Sequence, residues 1–189
     1  MRESAPGPRP SLAVGCGVLG AIMVALGLAT VAFIVFLESG ASTGRVTLDP
    51  LDAYPPGTVS RFPRDGFYLV RMPDGSTLAL SDLDAANRAA TGRRCRVAPI
   101  PTGEPALTEA LERYRERLSP GTASLTLVFR ETCFGALYDA AGIRLDADGP
   151  NLDRLGLDLD DQGNLVVETA ERSCTRRDGR QFLVAVDCP

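Results

Sequence analysis

The chain has 189 residues, of which 20 are basic and 24 acidic, and it contains no His, Trp or Lys. Without His there is no imidazole for a serine or cysteine triad, for zinc ligation or for proton transfer near neutral pH, and without Lys there is neither Schiff-base chemistry nor a phosphate-loop lysine. Because these residues are missing, most familiar active sites are excluded and we expect no enzymatic activity. The Arg residues are dispersed among more numerous acidic residues, so we also expect no nucleic-acid binding.

An uncharged apolar run occupies residues 11–37. As a helix it is about 40 Å long, enough to cross a hydrocarbon core of about 30 Å, and it is longer than the apolar region of a cleaved signal peptide. Arg2 and Arg9 precede the run and Glu38 follows it, so the positive-inside rule applies. We expect a single-pass cell-membrane protein with a cytoplasmic tail over 1–10, a transmembrane helix in the lipid bilayer and an extracytoplasmic domain.

Small side chains recur every four residues along this run, on one helix face: Gly17, Ala21, Ala25 and Ala29. Such a face lets a second transmembrane helix approach closely. Integral membrane proteins are therefore expected partners, although an Ala-rich helix also produces this pattern by chance.

Beyond the run, residues 38–50 are predicted to be a tether. Two β-rich segments, 67–72 and 76–80, flank a Pro-Asp-Gly turn, which predicts a hairpin. A helix is predicted over about 104–118, because apolar residues there recur at intervals of four, three and four on an otherwise charged surface: Leu107, Leu111, Tyr114 and Leu118. This stripe is typical of core packing.

Further short strands are predicted between Gly- and Asp-containing turns, at 94–97, 124–129, 137–138, 155–159 and 165–167. Short strands with such turns favour a mainly β, antiparallel domain with one inserted helix. We expect this domain to cover 51–170, followed by a C-terminal extension over 171–189.

The soluble part contains four cysteines, Cys95, Cys133, Cys174 and Cys188. An even number suits two disulfide bonds in an oxidising compartment. Cys174 and Cys188 flank DGRQFLVAV, which favours a hairpin pinned by their bridge. A shared metal site for all four is disfavoured, because their spacing lacks the close pairs of structural metal sites.

Three segments in order resemble one family. They are PPGTVSRFPRDGFYLVRMPDGSTLALSDLD, ATGRRC at 90–95 and ETCFGALYDAAGIRL at 131–145, the last followed by Gly149-Pro150. Together they are similar to the opening hairpins and the two cluster loops of membrane-anchored Rieske iron-sulfur proteins of cytochrome bc complexes. The resemblance covers residues 51–167 and implies a Rieske-like antiparallel β-sandwich with one inserted helix, preceded by a single transmembrane helix.

The chain departs from that family at the cluster ligands. A Rieske 2Fe-2S centre needs two Cys thiolates and two His imidazoles, and the matching positions are Ala90, Gly92, Glu131 and Phe134. The resemblance thus implies a degenerate site, so we expect no 2Fe-2S cofactor and no bound metal. It also implies that Cys95 and Cys133 form the disulfide that clamps the family's two loops.

We also expect particular environments for three side chains near the degenerate site. Phe134 is expected to fill the space of the lost cluster, and Tyr138 to be a buried phenol with a satisfied hydroxyl. Glu131 is expected to be exposed or to face Arg93 or Arg94, because a buried unpaired carboxylate is costly.

The segment from Asp158 to Asn164 resembles a calcium loop, but residue twelve of such a loop here is Thr169. A solvated hairpin turn is the favoured interpretation of this segment.

The favoured function is a non-catalytic structural or interaction subunit beside a membrane complex of respiratory type. The alternatives are a working Rieske 2Fe-2S electron-transfer subunit and an extracytoplasmic module that binds a small ligand or calcium.

Overall fold

The computed structural model describes residues 22–33, 44–85 and 94–188. The chain divides into two compact units, Met1–Ala41 and Ser42–Pro189. In the first unit residues 22–33 form helix α1, whose apolar side chains such as Met23 and Leu28 are exposed. Within the three described ranges, no helix has the length and apolarity needed to cross a membrane.

The predicted span 11–37 lies mostly outside the described residues, as do Gly17 and Ala21 of the small-residue face. Ala25 and Ala29 of that face lie on α1.

Among its described residues, the second unit contains twelve strands and one complete α-helix, and Ala85 is also helical. The first six strands are β1 (Arg45–Pro50), β2 (Val59–Phe62), β3 (Phe67–Arg71), β4 (Thr77–Ser81), β5 (Val97–Pro99) and β6 (Val128–Glu131). The last six are β7 (Leu137–Asp139), β8 (Gly149–Pro150), β9 (Arg154–Leu159), β10 (Asn164–Ser173), β11 (Thr175–Asp178) and β12 (Gln181–Ala185). Helix α2 (Pro105–Arg113) lies between β5 and β6.

The strands form three sheets, in which every pairing between these strands is antiparallel. The largest sheet has the order β1-β10-β9-β4-β3-β2, and the others have the orders β5-β6-β7 and β12-β11-β8. The predicted mainly β, antiparallel class is therefore confirmed. The predicted hairpin is also present: β3 and β4 pair Val70 with Leu78 across the turn that contains Gly75, whose φ of 87° needs a residue without a Cβ.

The main core lies between the largest sheet and the β5-β6-β7 sheet. Tyr68 and Val70 of β3 project from one face of their strand and pack with Phe129 of β6 and Tyr138 of β7. All four side chains are fully buried. The two sheets thus form the two packed layers that a β-sandwich requires.

The largest sheet carries a second apolar cluster. Its core is formed by Phe67 of β3, Ala79 of β4, Leu155 of β9 and Val167 of β10. The edge strands add Val46 and Phe62, so all six strands contribute to this second core.

Helix α2 packs through its predicted apolar stripe, because Leu107, Leu111, Tyr114 and Leu118 all join the cluster around Val128. The α-helix is shorter than the predicted 104–118. It ends at Arg113 and a 3-10 turn over Arg115–Arg117 follows, as is common at helix C-termini. The Ser119-Pro120 pair then prevents further helix.

Several other predicted boundaries are wrong, and the strand predicted over 94–97 is β5, Val97–Pro99. Part of the predicted tether, 45–50, is strand β1, which pairs Val46 with Val167 of β10. The strand predicted over 124–129 begins only at Val128, because the chain before it makes consecutive turns, with Thr122 N–H donating to Ser119. The predicted domain limit at residue 170 falls inside β10, which continues to Ser173.

Candidate functional site

Two chain segments meet at one end of the β5-β6-β7 sheet, and a disulfide joins them. The bond links Cys95, before β5, to Cys133, in the β6-β7 turn, with a Cα–Cα distance of 5.7 Å. Thr132 reinforces the junction, since its backbone N–H donates to the carbonyl of Arg96 at 2.9 Å and its hydroxyl donates to the same carbonyl at 3.0 Å. Cys95 is buried and Cys133 is exposed. We call this region the clamped loops.

Glu131 organises the β6-β7 turn from within. Its side chain is 1% exposed, and its carboxylate accepts hydrogen bonds from the backbone N–H groups of Cys133 and Phe134. Of the two expectations for Glu131, exposure is therefore wrong, whereas a contact with Arg93 or Arg94 stays a prediction. Burial is tolerated because the turn's own N–H groups solvate the carboxylate. Arg93 lies outside the described residues.

Phe134 is at the tip of the clamped loops. Its side chain is 66% exposed, so the expectation that it fills an internal space is wrong. The backbone explains the difference: Gly135 follows with φ of 79°, and its N–H donates back to the carbonyl of Glu131, which closes a tight turn with Phe134 on its outer side. The other two predicted site positions, Ala90 and Gly92, lie outside the described residues.

Tyr138 connects β7 to the segment before the first clamped loop. The phenol is fully buried, as predicted, and it donates to Asp84 Oδ1 at 2.7 Å. Burial and the nearby Asp84 carboxylate raise the pKa of the Tyr138 phenol well above its ordinary value. The backbone N–H of Asp84 also donates to the carbonyl of Cys95 at 2.8 Å. The Tyr138–Asp84 pair therefore links β7 to the backbone of a disulfide cysteine.

A third buried carboxylate, that of Asp139, closes the turn after β7. Its Oδ1 accepts from the N–H groups of Ala141 and Ile143, both at 2.9 Å, and its Oδ2 accepts from Ser119 N–H at 2.9 Å. Gly142 lies within this turn at φ of 76°. The turn therefore depends on one carboxylate and one glycine.

The clamped loops bring three potential metal ligands together. The nearest ligand atoms of Cys95, Cys133 and Glu131 all lie within 4.8 Å of one another. The two sulfurs are bonded to each other, so neither is a thiolate in this structure. Sequence reasoning missed this grouping, although the spacing Glu131-Thr132-Cys133 on one turn was its visible signal.

The C-terminal strands are held by the other disulfide. Cys174 is bonded to Cys188, the pair expected from the sequence, and the bond spans the β11-β12 hairpin. Asn151 anchors this hairpin, donating from Nδ2 to the Thr175 hydroxyl at 3.0 Å and to the carbonyl of Phe182 at 2.8 Å.

The segment that resembles a calcium loop is a hairpin turn between β9 and β10. Asp160 Oδ1 accepts from the N–H groups of Gln162 and Asn164 at 2.9 and 2.8 Å, and Gly163 has a φ of 81°. Hydrogen bonds from Asn164 lower the pKa of Asp160 below its ordinary value. The turn residues themselves supply donors to this carboxylate, which favours the hairpin interpretation.

No protein-family model matches this chain, and no curated protein matches it significantly. Among solved structures it is similar to a Mycobacterium tuberculosis protein described as the small subunit of an NADH-dependent nitrite reductase, with a TM-score of 0.34 and 16% sequence identity. The likeness covers 71% of this chain and 96% of that chain. A likeness at this level does not transfer a ligand or an activity.

Proposed function

We propose that the chain is a single-pass membrane protein whose extracytoplasmic domain is a Rieske-like domain without a cluster, and that it acts as a non-catalytic interaction subunit of a membrane complex. The observation that carries the proposal is the state of the two loops. A disulfide holds them together, a buried carboxylate orders the second of them, and the side chains available there do not make a cluster site.

The residues do not fit a 2Fe-2S group of Rieske type. Such a group needs two imidazoles, and the chain has no His. At the second-loop positions, Phe134 has no donor atom and points outward, while Glu131 is engaged by two backbone N–H groups. The sulfurs of Cys95 and Cys133 are bonded to each other.

The remaining architecture supports a role in binding rather than in chemistry. The loops are tied by the Cys95–Cys133 bond and by Thr132, so they form a defined surface without iron. Phe134, 66% exposed at their tip, gives this surface an apolar centre. Large apolar side chains of this kind are frequent at the centres of protein interfaces.

Membrane attachment rests on the sequence. The run at 11–37 has no charged residue and is flanked by Arg2 and Arg9 on one side only, which supports a span with the cysteine-containing domain on the oxidising side. The small-residue face that includes Ala25 and Ala29 supports contact with another span.

The proposal is tested by washing membranes with alkaline carbonate and then separating mildly solubilised membranes by native electrophoresis. We expect the chain to stay in the carbonate-resistant fraction and to migrate with a larger complex. A matched Phe134→Ser variant is expected to keep the membrane fraction and to lose part of the complex. Release by carbonate, or migration of the wild-type chain alone, contradicts the proposal.

A further inference from the structure

The disulfide of the clamped loops lies beside a buried carboxylate. The nearest ligand atoms of Cys95, Cys133 and Glu131 lie within 4.8 Å of one another, although the residues come from two segments separated by 38 positions at the disulfide. The fold, and not local sequence, creates this grouping. While the bond is intact, the two sulfurs are poor ligands because the thiolate is the ligand form of cysteine.

The spacing suits a tetrahedral ion once the sulfurs are free. Zn²⁺ binds thiolate sulfur at about 2.3 Å and carboxylate oxygen at about 2.0–2.2 Å, so two thiolates on one zinc lie about 3.8 Å apart. The sulfurs therefore need to separate by less than about 2 Å from their bonded distance.

Glu131 is prepared to act as the third ligand. A carboxylate offers about four lone-pair positions, and the two N–H groups of the turn use one position on each oxygen. These N–H groups fix the orientation of the carboxylate, which is how outer hydrogen bonds support metal ligands. Cys133 is exposed, so an ion can enter from solvent and a water molecule can complete the tetrahedron.

We propose that reduction of the Cys95–Cys133 bond converts the clamped loops into a binding site for one thiophilic divalent cation, with Cys95, Cys133 and Glu131 as ligands. The reductant is a dithiol. It delivers two electrons and two protons to the S–S bond, giving two thiols, and is itself oxidised to a disulfide. The cation then displaces the two thiol protons. This inference is independent of the proposed membrane function, because it is tested on the purified chain alone.

The test uses the full chain carrying Cys16→Ala, which removes the fifth cysteine of the sequence. This chain is reduced with dithiothreitol, freed from reductant under argon and titrated with Co²⁺. Cobalt reports thiolate ligands through charge-transfer absorption and tetrahedral geometry through its visible bands. We expect one equivalent to bind to the reduced chain with both signals, and we expect the oxidised chain to give neither. Zn²⁺ is expected to displace the cobalt. Absence of both signals in the reduced chain overturns the proposal.

Two matched double variants separate the two disulfides. Cys174→Ser with Cys188→Ser is expected to keep the cobalt signal after reduction, whereas Cys95→Ser with Cys133→Ser is expected to lose it. The opposite pattern places the cation at the C-terminal hairpin and overturns the proposal.

Glu131→Gln tests the third ligand and is expected to weaken cobalt binding by at least tenfold, while the charge-transfer bands of the two thiolates remain at saturation. Because this variant also alters the turn, far-UV circular dichroism of the metal-free chain accompanies it. Unchanged affinity in a folded variant overturns the role of Glu131. If the variant does not fold, the serine pairs still decide between the two sites.

Discussion

At the scale of single residues, buried carboxylates fix the backbone around the clamped loops and in the turn after β7. Glu131, Asp84 and Asp139 are each 4% exposed or less, and each accepts hydrogen bonds from backbone N–H groups or from a phenol. A buried carboxylate is costly unless donors surround it, so each of these side chains fixes the position of the groups that satisfy it.

The hydrogen bond from Tyr138 to Asp84 is testable by Tyr138→Phe. The variant leaves the buried Asp84 carboxylate with one donor fewer, so we expect the free energy of unfolding to fall by about 1–3 kcal/mol, measured by urea denaturation. The control is Tyr114→Phe, at the half-buried residue that follows α2, expected within about 0.5 kcal/mol of wild type. Equal effects of the two variants contradict this assignment.

Ionisation of the Tyr138 phenol is expected to lower the free energy of unfolding at alkaline pH. Folding raises the pKa of Tyr138, chiefly by burial, so the folded state holds this proton more tightly than the unfolded state. The resulting stability is fully present below the ordinary tyrosine pKa of about 10 and is lost as the pH rises above it. Urea denaturation across this range should show stability falling with pH, less steeply in Tyr138→Phe. Parallel slopes for the two proteins argue against this cause.

Sequence reasoning predicted the burial of Tyr138 but not that of Glu131. Burial of an aromatic ring is favourable wherever the ring lies in the sequence, whereas a carboxylate can be buried only where hydrogen-bond donors converge. The donors to Glu131 belong to Cys133 and Phe134, and they converge only after the turn closes at Gly135. Neither the composition nor the residue spacing predicts that geometry.

At the scale of elements, the turn after β7 depends on Gly142. A Cβ at this residue, whose φ is 76°, would lie 3.1 Å from Leu152 Cβ and 3.2 Å from Leu80 Cδ2. Gly103 provides a matched control, since it also has a positive φ, of 89°, but a Cβ there meets nothing within 4 Å.

Gly103→Ala is expected to cost about 1 kcal/mol through backbone strain alone. Gly142→Ala should cost about 1–3 kcal/mol more, because crowding of the core adds to the strain. Thermal and urea denaturation of the two variants measure the difference. Equal costs would mean that the turn after β7 shifts freely away from Leu80 and Leu152.

The two disulfides should stabilise the domain to different extents. Cys95–Cys133 spans 38 positions and Cys174–Cys188 spans 14, so the chain-entropy relation assigns about 4 kcal/mol to the first and about 3 kcal/mol to the second. Paired serine variants, unfolded in urea without reductant, measure both losses. A larger loss at the C-terminal pair would show that native packing, and not loop length, dominates.

Local signals predicted the local elements. The β3-β4 hairpin follows from its Pro-Asp-Gly turn, and α2 follows from its apolar stripe. Strand β1 could not be predicted in this way, because Arg45 pairs with Glu168, far along the chain, and its own residues read as a tether. The late start of β6 has a local cause, the turns that include Thr122 and Gly121.

At the scale of the whole molecule, the second unit combines a six-stranded sheet with a smaller sheet that carries the clamped loops. Its main core is built from apolar and aromatic side chains such as Tyr68, Phe129 and Leu80. Disulfides and buried carboxylates hold the ends of the strands. Such a domain is expected to fold without iron, which is the central claim of the proposed function.

The most direct test of that claim is electron paramagnetic resonance of the purified full chain, before and after reduction with dithionite, together with its iron and acid-labile sulfide content. We predict no 2Fe-2S signal in either state, far less than one iron per chain, and an intact mass lower by four hydrogens than the fully reduced chain. A stoichiometric 2Fe-2S signal with two irons and two sulfides per chain would contradict the account.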